Sequence, residues 1–210
     1  DLDLANPTTP VIVNLIYALN AICKHFGNDF LLTFAPETHF VQQAYGYYGT
    51  TCDGCDLRCG AYLPVLYAMR DRMSWLQVQY YNSGVINAPE GPQTCGTEDF
   101  VVYLAKMLAD GFPIKDGADY LGTSHKLKGP KNFPALRQDQ IVLGVPSVTG
   151  SAGAGTLNAS AYISIMNKLR QMGYDIRGFM TWSINWDKHY NYEWSNPIRS
   201  YINSLNNGTA

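Results

Sequence analysis

Apolar and polar residues alternate along the chain in blocks that predict strands and helices in turn. Short apolar runs such as FLLTFA and IVLGVP, bounded by polar residues or Pro, are typical of buried strands. The predicted strands are residues 30–35, 75–81, 141–146 and 176–184. The predicted helices are residues 11–26, 62–72, 97–108, 160–172 and 197–205. Gly27 and Gly111 are predicted to end two of these helices, and Thr97 is predicted to cap one.

Strands this apolar, each followed by a helix, predict an α/β fold with parallel strands covered on the outside. An open doubly wound sheet and a closed (β/α)8 TIM barrel both give this alternation. A dinucleotide-binding sheet would show G-x-G-x-x-G after its first strand, and the sequence has none there. Polar and aromatic residues cluster at three strand ends, residues 36–37, 79–82 and 182–187, where barrels carry function. A complete barrel has about 250 residues, so four units predict a partial barrel.

The composition is that of one globular domain, since 46% of the 210 residues are hydrophobic and 15% are charged. The net charge of −2 predicts neither nucleic acid nor a membrane as a partner. No apolar run approaches the roughly 18 residues of a membrane span, and no signal peptide is visible. Lys126, Lys128 and Lys131 form the densest charge cluster, which is typical of a solvated loop. The 15 Tyr and 4 Trp residues fit either an aromatic core or carbohydrate recognition.

Five cysteines are present, three of them in a C-x-x-C-x-x-x-C pattern. The three are Cys52, Cys55 and Cys59, and the other two cysteines are Cys23 and Cys95. A zinc site would need a fourth ligand at matched spacing, so no metal is expected. At least one disulfide among Cys52, Cys55, Cys59 and Cys95 is predicted instead, which indicates an oxidising compartment. Sequons at Asn158 and Asn207 are compatible with secretion. No triad-like or ligand-like spacing relates the histidines, which are His25, His39, His125 and His189.

Three segments together resemble the family 18 chitinases of bacteria and fungi. They are LTFAPET (32–38), VQYYNSG (78–84) and GFMTWSINWD (178–187), which are similar to the ends of the fifth, sixth and eighth barrel strands of that family. FPALRQDQIVLGVP (133–146) resembles the approach to the seventh strand. The resemblance implies that residues 1–210 are part of a single TIM barrel, roughly from the fourth or fifth strand through the eighth. It also implies a secreted, monomeric hydrolase of β-1,4-linked N-acetylglucosamine polymers, with chitin or chito-oligosaccharides as its partner and no cofactor.

Family 18 is an exception to catalysis by two enzyme carboxylates, because the substrate's own acetamido group takes part. A Glu protonates the glycosidic oxygen while the acetamido carbonyl attacks the anomeric carbon. By resemblance, Tyr81 supplies a hydroxyl to that acetamido oxygen, Gln79 bonds near the same group, and Trp182 forms the floor of the subsite. Phe34 stands on the subsite wall, where the family commonly has Met. The full set of predicted substrate contacts is Trp182, Phe34, Glu37, Met180, Asn82 and Asp187.

Purely structural roles are the alternatives for several of these residues. Tyr81 and Trp182 could be ordinary core aromatics, which their place within the matching segments disfavours. Glu37, after a strand-ending Pro, could cap the segment that follows. Asp187 could lie in a surface turn.

The general acid of the family belongs to a D-x-x-D-x-D-x-E signature, whereas this sequence starts Asp1-Leu2-Asp3-Leu4-Ala5. In one interpretation Asp3 orients the acetamido group and Ala5 replaces the acid. In the other, the signature lies upstream of Asp1. The short distance from Ala5 to the predicted helix start at Pro10 favours the second. Under either interpretation the chain as given is expected to be inactive, and the alternative function is a non-catalytic lectin or inhibitor that binds chitin oligosaccharides.

Overall fold

A parallel sheet covered on one face by helices organises the part of the chain that the computed structural model describes, residues 9–48, 56, 58–115 and 131–208. In chain order, the helices and strands are α1 (Thr9–Phe26), β1 (Thr33–Phe34), α2 (Leu63–Met69), β2 (Trp75–Gln79), β3 (Val85–Ala88), β4 (Gly91–Thr94), α3 (Glu98–Asp110), β5 (Phe112–Pro113), β6 (Asn132–Phe133), β7 (Ile141–Pro146), α4 (Ala159–Gln171), β8 (Gly178–Trp182), α5 (Ile184–His189) and α6 (Ser195–Asn206). The predicted alternation of strands and helices is confirmed.

The order of strands in the sheet distinguishes the two α/β architectures. The four strands lie in the order β1-β2-β7-β8, and every neighbouring pair is parallel. Strand order therefore follows chain order without a reversal, as it does around a barrel wall. A doubly wound sheet would reverse its order at a switch point. The fold is thus a partial (β/α)8 barrel, as the sequence predicts.

The two faces of the sheet differ in burial. In β2, Leu76 and Val78 are fully buried, while the residues between them are half-buried. Their side chains join the main hydrophobic core beneath α3 and α4. Tyr80 continues this face and meets the ring of Phe100 in α3 edge to face. Burying each of these aliphatic side chains contributes about 1.5–3 kcal/mol, so the helices hold the sheet through this one face.

The opposite face, called the inner face below, carries the strand residues that alternate with the core positions. The register aligns Gln79 of β2 with Gly144 of β7, and Gly144 with Met180 of β8. Side chains aligned across neighbouring strands lie on the same face. Two residues further along β8, Trp182 lies on the inner face as well, and its side chain is exposed.

Helix and strand ends follow the predicted signals at several places. The hydroxyl oxygen of Thr97 accepts the Phe100 N–H at 3.2 Å and caps α3. Helix α3 then ends at Gly111, whose φ of 76° lies in the region that favours glycine. Strand β1 is shorter than predicted because its partner β2 begins only at Trp75, opposite Thr33, and because Pro36, which has no N–H to donate, follows soon after. A single parallel bridge between Glu37 and Gln79 continues the pairing past that proline.

Some elements are missing from the sequence prediction. The antiparallel hairpin β3–β4 turns through Pro89 and Glu90, immediately after the end of β2. The two-residue pair β5–β6 follows α3, and the short helix α5 directly follows β8. Each of these elements is too short for a clear hydrophobic period, and so local patterning cannot reveal it.

The disulfide prediction is not supported at the cysteines that the structure describes. Cys23, Cys59 and Cys95 carry free thiols, whereas Cys52 and Cys55 lie outside the described residues. Cys59 is fully buried, with its sulfur 2.8 Å from the carbonyl oxygen of Tyr47. Burial raises the pKa of the Cys59 thiol to about 12. This thiol is therefore unreactive near neutral pH. A bond between Cys52 and Cys55 stays a prediction.

Among the described helices, none is both long enough and apolar enough to cross a membrane.

Candidate active site

The C-terminal ends of β1 and β2 are joined tightly beside the inner face. The Gln79 side-chain amide donates to the carbonyl oxygen of Ala35 at 2.6 Å, and the Gln79 backbone N–H donates to that of Pro36 at 2.9 Å. Beyond the strands, the hydroxyls of Thr38 and Ser83 are 2.5 Å apart. These bonds hold the two strand ends in one rigid unit and orient the Gln79 side chain.

Tyr81 leaves β2 on the side opposite Tyr80. Because Tyr80 points into the helix-covered core, Tyr81 lies on the same side as Gln79. Only 4% of the Tyr81 surface is exposed. Burial, and secondarily the negative charge of Glu37, raises the pKa of the Tyr81 hydroxyl to about 12. The hydroxyl is thus protonated at neutral pH, and no described residue forms a hydrogen bond with it.

Glu37 lies at the N-cap of a short 3-10 turn, Thr38–Phe40, but its carboxylate forms no capping hydrogen bond. The capping role therefore does not hold for this residue. Its carboxylate is close enough to Tyr81 to affect the tyrosine pKa, and it lines a cavity of about 470 Å³ together with Asn82 and Ser83. Glu37 is thus a carboxylate beside the predicted site.

Three charged or ionisable residues, His39, Asp56 and Arg58, also line this cavity. Arg58 donates to both carboxylate oxygens of Asp56, at 2.6 to 3.1 Å, and His39 lies 3.4 Å from the same carboxylate. The hydrogen bonds from Arg58 hold the pKa of Asp56 well below its usual range. The same cavity that Glu37 lines therefore also contains a carboxylate–guanidinium pair.

The floor of the inner face between β2 and β8 is formed at Gly144 and Met180. Gly144 in β7 has no side chain, and a β-carbon built there would lie 3.0 Å from the methyl group of Met180. Met180 therefore lies across the centre of the inner face. Extending the register by two residues brings Tyr81 level with Pro146 and Trp182. Two strand spacings, about 10 Å, separate Tyr81 from Trp182 across this floor. The indole of Trp182 is 54% exposed, which is unusual for a core tryptophan.

Two curated relatives are similar over nearly the whole chain. The "Probable class II chitinase" of Arthroderma benhamiae is 42% identical over 98% of this chain and 61% of its own length. The "Exochitinase 1" of Streptomyces olivaceoviridis is 39% identical over 96% of this chain and 34% of its own length. No family model matches the chain.

Among solved structures, the family GH18 chitinase from Chromobacterium violaceum superimposes with a TM-score of 0.79 and 34% identity. The match covers 92% of this chain and 50% of that one. The chain belongs to glycoside hydrolase family 18. It spans about a third to three-fifths of the length of the curated relatives named above. The partial sheet described here is thus part of a family 18 barrel.

Two of the predicted site residues lie elsewhere in this family 18 chain. Phe34 is aligned with Leu76 and therefore lies on the helix-covered face, where it packs against both hydrophobic clusters. Asp187 is 3% exposed, and its carboxylate accepts the backbone N–H groups of Trp194 and Ser195 at 3.1 and 3.3 Å. These groups begin α6, so Asp187 is a buried helix cap rather than a surface turn or a substrate contact.

Asn82 borders the cavity that Glu37 lines, and it also holds a distant loop. Its side-chain oxygen accepts the N–H groups of Gly153 and Ala154 at 2.8 and 3.2 Å. Its own N–H donates to the Ala154 carbonyl at 3.0 Å. Next in that loop, Gly155 has a φ of 92°, and a β-carbon there would lie 2.8 Å from the α-carbon of Tyr81. The loop after β7 therefore packs directly against the catalytic candidate Tyr81.

Replacing Asn82, whose side chain clamps the loop after β7, should destabilise the fold by an amount that depends on the new residue. Asn82 has a φ of 53°, a left-handed conformation that Asn tolerates and Ala does not. Replacing Asn82 with Ala is expected to lower the free energy of unfolding by about 1–3 kcal/mol, from the lost hydrogen bonds and the conformational cost. Asn82→Gly should lose only the hydrogen bonds, and Asn82→Asp should retain most of the stability. Urea unfolding of the full-length gene product measures this order, and equal losses for Gly and Ala would contradict the conformational part.

Two predicted residues, Asp3 and Ala5, lie outside the described residues, so the structure locates neither of them relative to Tyr81. No group of three or more His, Cys, Asp or Glu side chains suited to a metal ion occurs within the described ranges. Sequence reasoning missed the clamp by Asn82 and the cap by Asp187. The GAG triplet at residues 153–155 is the one local signal for the clamp by Asn82. The cap by Asp187 has no local signal in the sequence.

Proposed function

We propose that the protein is a chitinase that hydrolyses β-1,4-linked N-acetylglucosamine polymers with retention of configuration, by a substrate-assisted mechanism. The observation that carries this proposal is the placement of Gln79, Tyr81 and Trp182 at the C-terminal end of one sheet face. Residues 1–210 are then part of one catalytic barrel. We also propose that the protein is secreted and monomeric and needs no cofactor.

In this mechanism the sugar ring lies on the indole of Trp182. Its acetamido carbonyl oxygen attacks the anomeric carbon as the glycosidic C–O bond breaks, and the leaving oxygen takes a proton from the general acid. A charged oxazolinium ring results. The Tyr81 hydroxyl, which is protonated and unpaired among the described residues, donates to the oxygen of that ring. The Gln79 amide lies on the same side and is fixed by its bond to Ala35. Water then attacks the anomeric carbon and gives a proton back to the deprotonated general acid, and the bond between the anomeric carbon and the acetamido oxygen breaks, which restores the acetamido group.

The general acid is proposed to be supplied from upstream of Asp1, since no Glu of the described residues fits its place in the signature. Glu37 follows β1, the strand that resembles the fifth strand of the family, whereas the signature belongs to the fourth. Burial raises the pKa of the Tyr81 hydroxyl, and the negative charge of Glu37 adds to that effect.

Binding of a thio-linked chitotetraose, which resists hydrolysis, tests the proposal. Trp182→Ala in the full-length gene product is expected to weaken binding about 5- to 30-fold, because loss of a tryptophan contact at a binding centre costs about 1–2 kcal/mol. Trp182→Phe, which keeps an aromatic face, should retain most of the affinity. Isothermal titration calorimetry measures both values.

Cellotetraose is the matched control ligand, because it has the same linkage but lacks the acetamido group. It is expected to bind much more weakly than the chitotetraose analogue. Equal affinity for the two ligands, or no effect of Trp182→Ala, would show that the acetamido-directed site is misassigned. Binding of ordinary chitotetraose by the full-length product without its hydrolysis would favour the lectin alternative.

A further inference from the structure

The loop after β7 meets the backbone of Tyr81 at Gly155, where there is no room for a side chain. A β-carbon built on Gly155 would lie 2.8 Å from the α-carbon of Tyr81, 3.1 Å from the carbonyl oxygen of Tyr80 and 2.9 Å from the sulfur of Cys95. The first two of these atoms belong to the backbone, and they cannot rotate away as the end of a side chain can. Gly155 therefore packs directly on the residue that is proposed to bond the acetamido oxygen.

The residues next to Gly155 are fixed to the segment that follows Tyr81. The side-chain oxygen of Asn82 accepts the N–H groups of Gly153 and Ala154 at 2.8 and 3.2 Å, and the Asn82 N–H donates to the Ala154 carbonyl at 3.0 Å. These three hydrogen bonds hold the loop against the end of β2. A methyl group on Gly155 would therefore either displace Tyr81 or break the bonds to Asn82.

The side chain of Tyr81 depends on its own backbone for its position. It is only 4% exposed, and its hydroxyl forms no hydrogen bond with any residue in the described part of the chain. No partner therefore holds the hydroxyl itself, and a shift of the Tyr81 α-carbon moves the hydroxyl with it. A donor to a developing charge works only when it lies at hydrogen-bond distance from the place where that charge forms.

We propose that Gly155 is a positioning residue for the reaction. Because it has no side chain, the loop after β7 can approach closely enough to set the place of the Tyr81 backbone, and hence of the Tyr81 hydroxyl. This inference rests on the proposed function, since it takes Tyr81 as the donor to the acetamido oxygen. It predicts that a methyl group at residue 155 lowers kcat through Tyr81.

A double-mutant cycle on the full-length gene product tests this role. Gly155→Ala is expected to lower kcat on chito-oligosaccharides about 10- to 100-fold, since a displacement of about 1 Å near a reacting group can cost about 10²-fold. The Michaelis constant should change by less than about threefold, because the loss falls on the transition state. In the Tyr81→Phe background, Gly155→Ala should lower kcat by less than about threefold, because the donor that it displaces is already absent.

Gly173 provides a matched control for the backbone conformation. Its φ of 91° nearly equals the 92° of Gly155, but nothing lies within 4 Å of a β-carbon built on Gly173. Gly173 precedes β8 and Tyr81 follows β2, so the two lie at opposite ends of the parallel sheet. Gly173→Ala thus carries the cost of a left-handed alanine without the contact at Tyr81. It should lower the melting temperature and leave kcat unchanged.

Asn82→Gly examines the same loop without adding an atom, and it decides the question if Gly155→Ala does not fold. Glycine adopts the φ of 53° at residue 82 freely, and the substitution removes the oxygen that accepts the two loop N–H groups. With the loop released from the end of β2, kcat should fall in the parent background. It should stay nearly unchanged in the Tyr81→Phe background.

The outcomes separate this inference from the proposed function. If Gly155→Ala leaves kcat unchanged, lowers it no more than Gly173→Ala does, or lowers it equally with and without the Tyr81 hydroxyl, the positioning role is wrong and the proposed function stands. An equal loss of kcat for Asn82→Gly in both backgrounds has the same meaning. If Tyr81→Phe by itself leaves kcat unchanged, the proposed mechanism fails, and the positioning role fails with it.

Discussion

Replacing Tyr81 with Phe is expected to lower kcat of the full-length gene product on chito-oligosaccharides by about 10²–10³-fold, the usual loss for one hydrogen-bond donor to a developing charge. The Michaelis constant should change much less, because in the proposed mechanism the hydroxyl acts on the acetamido oxygen as the ring closes. The reason lies in the burial of Tyr81, which keeps the donor in a fixed position away from water. Initial rates with a chromogenic chito-oligosaccharide measure the change.

The neighbouring tyrosine provides a matched control. Tyr80 is fully buried on the opposite face of the sheet, where its hydroxyl lies beside the Gln42 side chain. Tyr80→Phe should therefore leave kcat unchanged, because this hydroxyl lies away from the proposed site. If both substitutions reduced kcat equally, or if Tyr81→Phe changed it by less than about threefold, the donor role of Tyr81 would be wrong.

The pH profile provides a second check on the same residue. Since burial and the Glu37 charge raise the pKa of Tyr81 to about 12, its hydroxyl keeps its proton through the neutral and mildly alkaline range. Any loss of kcat as pH rises through that range must then come from another group. The Tyr81→Phe variant should accordingly retain the shape of the parent profile at a lower absolute rate.

Residues 1–210 by themselves are expected to hydrolyse chito-oligosaccharides at least about 10²–10⁴-fold more slowly than the full-length gene product, the range that general acid catalysis supplies. Within the matching segments, no carboxyl group occupies the place of the signature Glu. The open inner face, with Trp182 exposed, should also make this fragment prone to aggregate. A reducing-sugar assay on both proteins, beside light scattering on the fragment, measures each effect.

Ala5→Glu in the full-length gene product distinguishes the two interpretations of the N-terminal residues. If the acid lies upstream, as proposed, the substitution leaves the rate unchanged. A gain of about 10²–10⁴-fold would show that Ala5 occupies the position of the acid. Brisk turnover by residues 1–210 alone would mean that the acid is among them, and Glu37→Gln would then be the first variant to examine.

Much of the fold was predictable because it depends on local patterns. An apolar run such as IVLGVP at residues 141–146 favours a strand that is covered on both faces, and all six of its residues are buried. Thr97 and Gly111 set the ends of α3 through their side-chain and backbone preferences. The placement of polar and aromatic residues at strand ends likewise follows from the chain alone. These features need no knowledge of distant residues.

The tertiary structure decided the features that depend on strand register and on contacts between residues far apart in the chain. Phe34 and Gln79 both lie at strand ends in the sequence, yet the pairing of Phe34 with Leu76 places it on the helix-covered face. A shift of one residue would have reversed that outcome, because strand side chains alternate between faces. Asp187 caps a helix that begins beyond it, and Asn82 holds a loop 71 residues away. Local sequence determined which residues reach the strand ends. The three-dimensional arrangement alone determined which of them lie on the inner face, at the proposed sugar site, because that depends on partners far away in the chain.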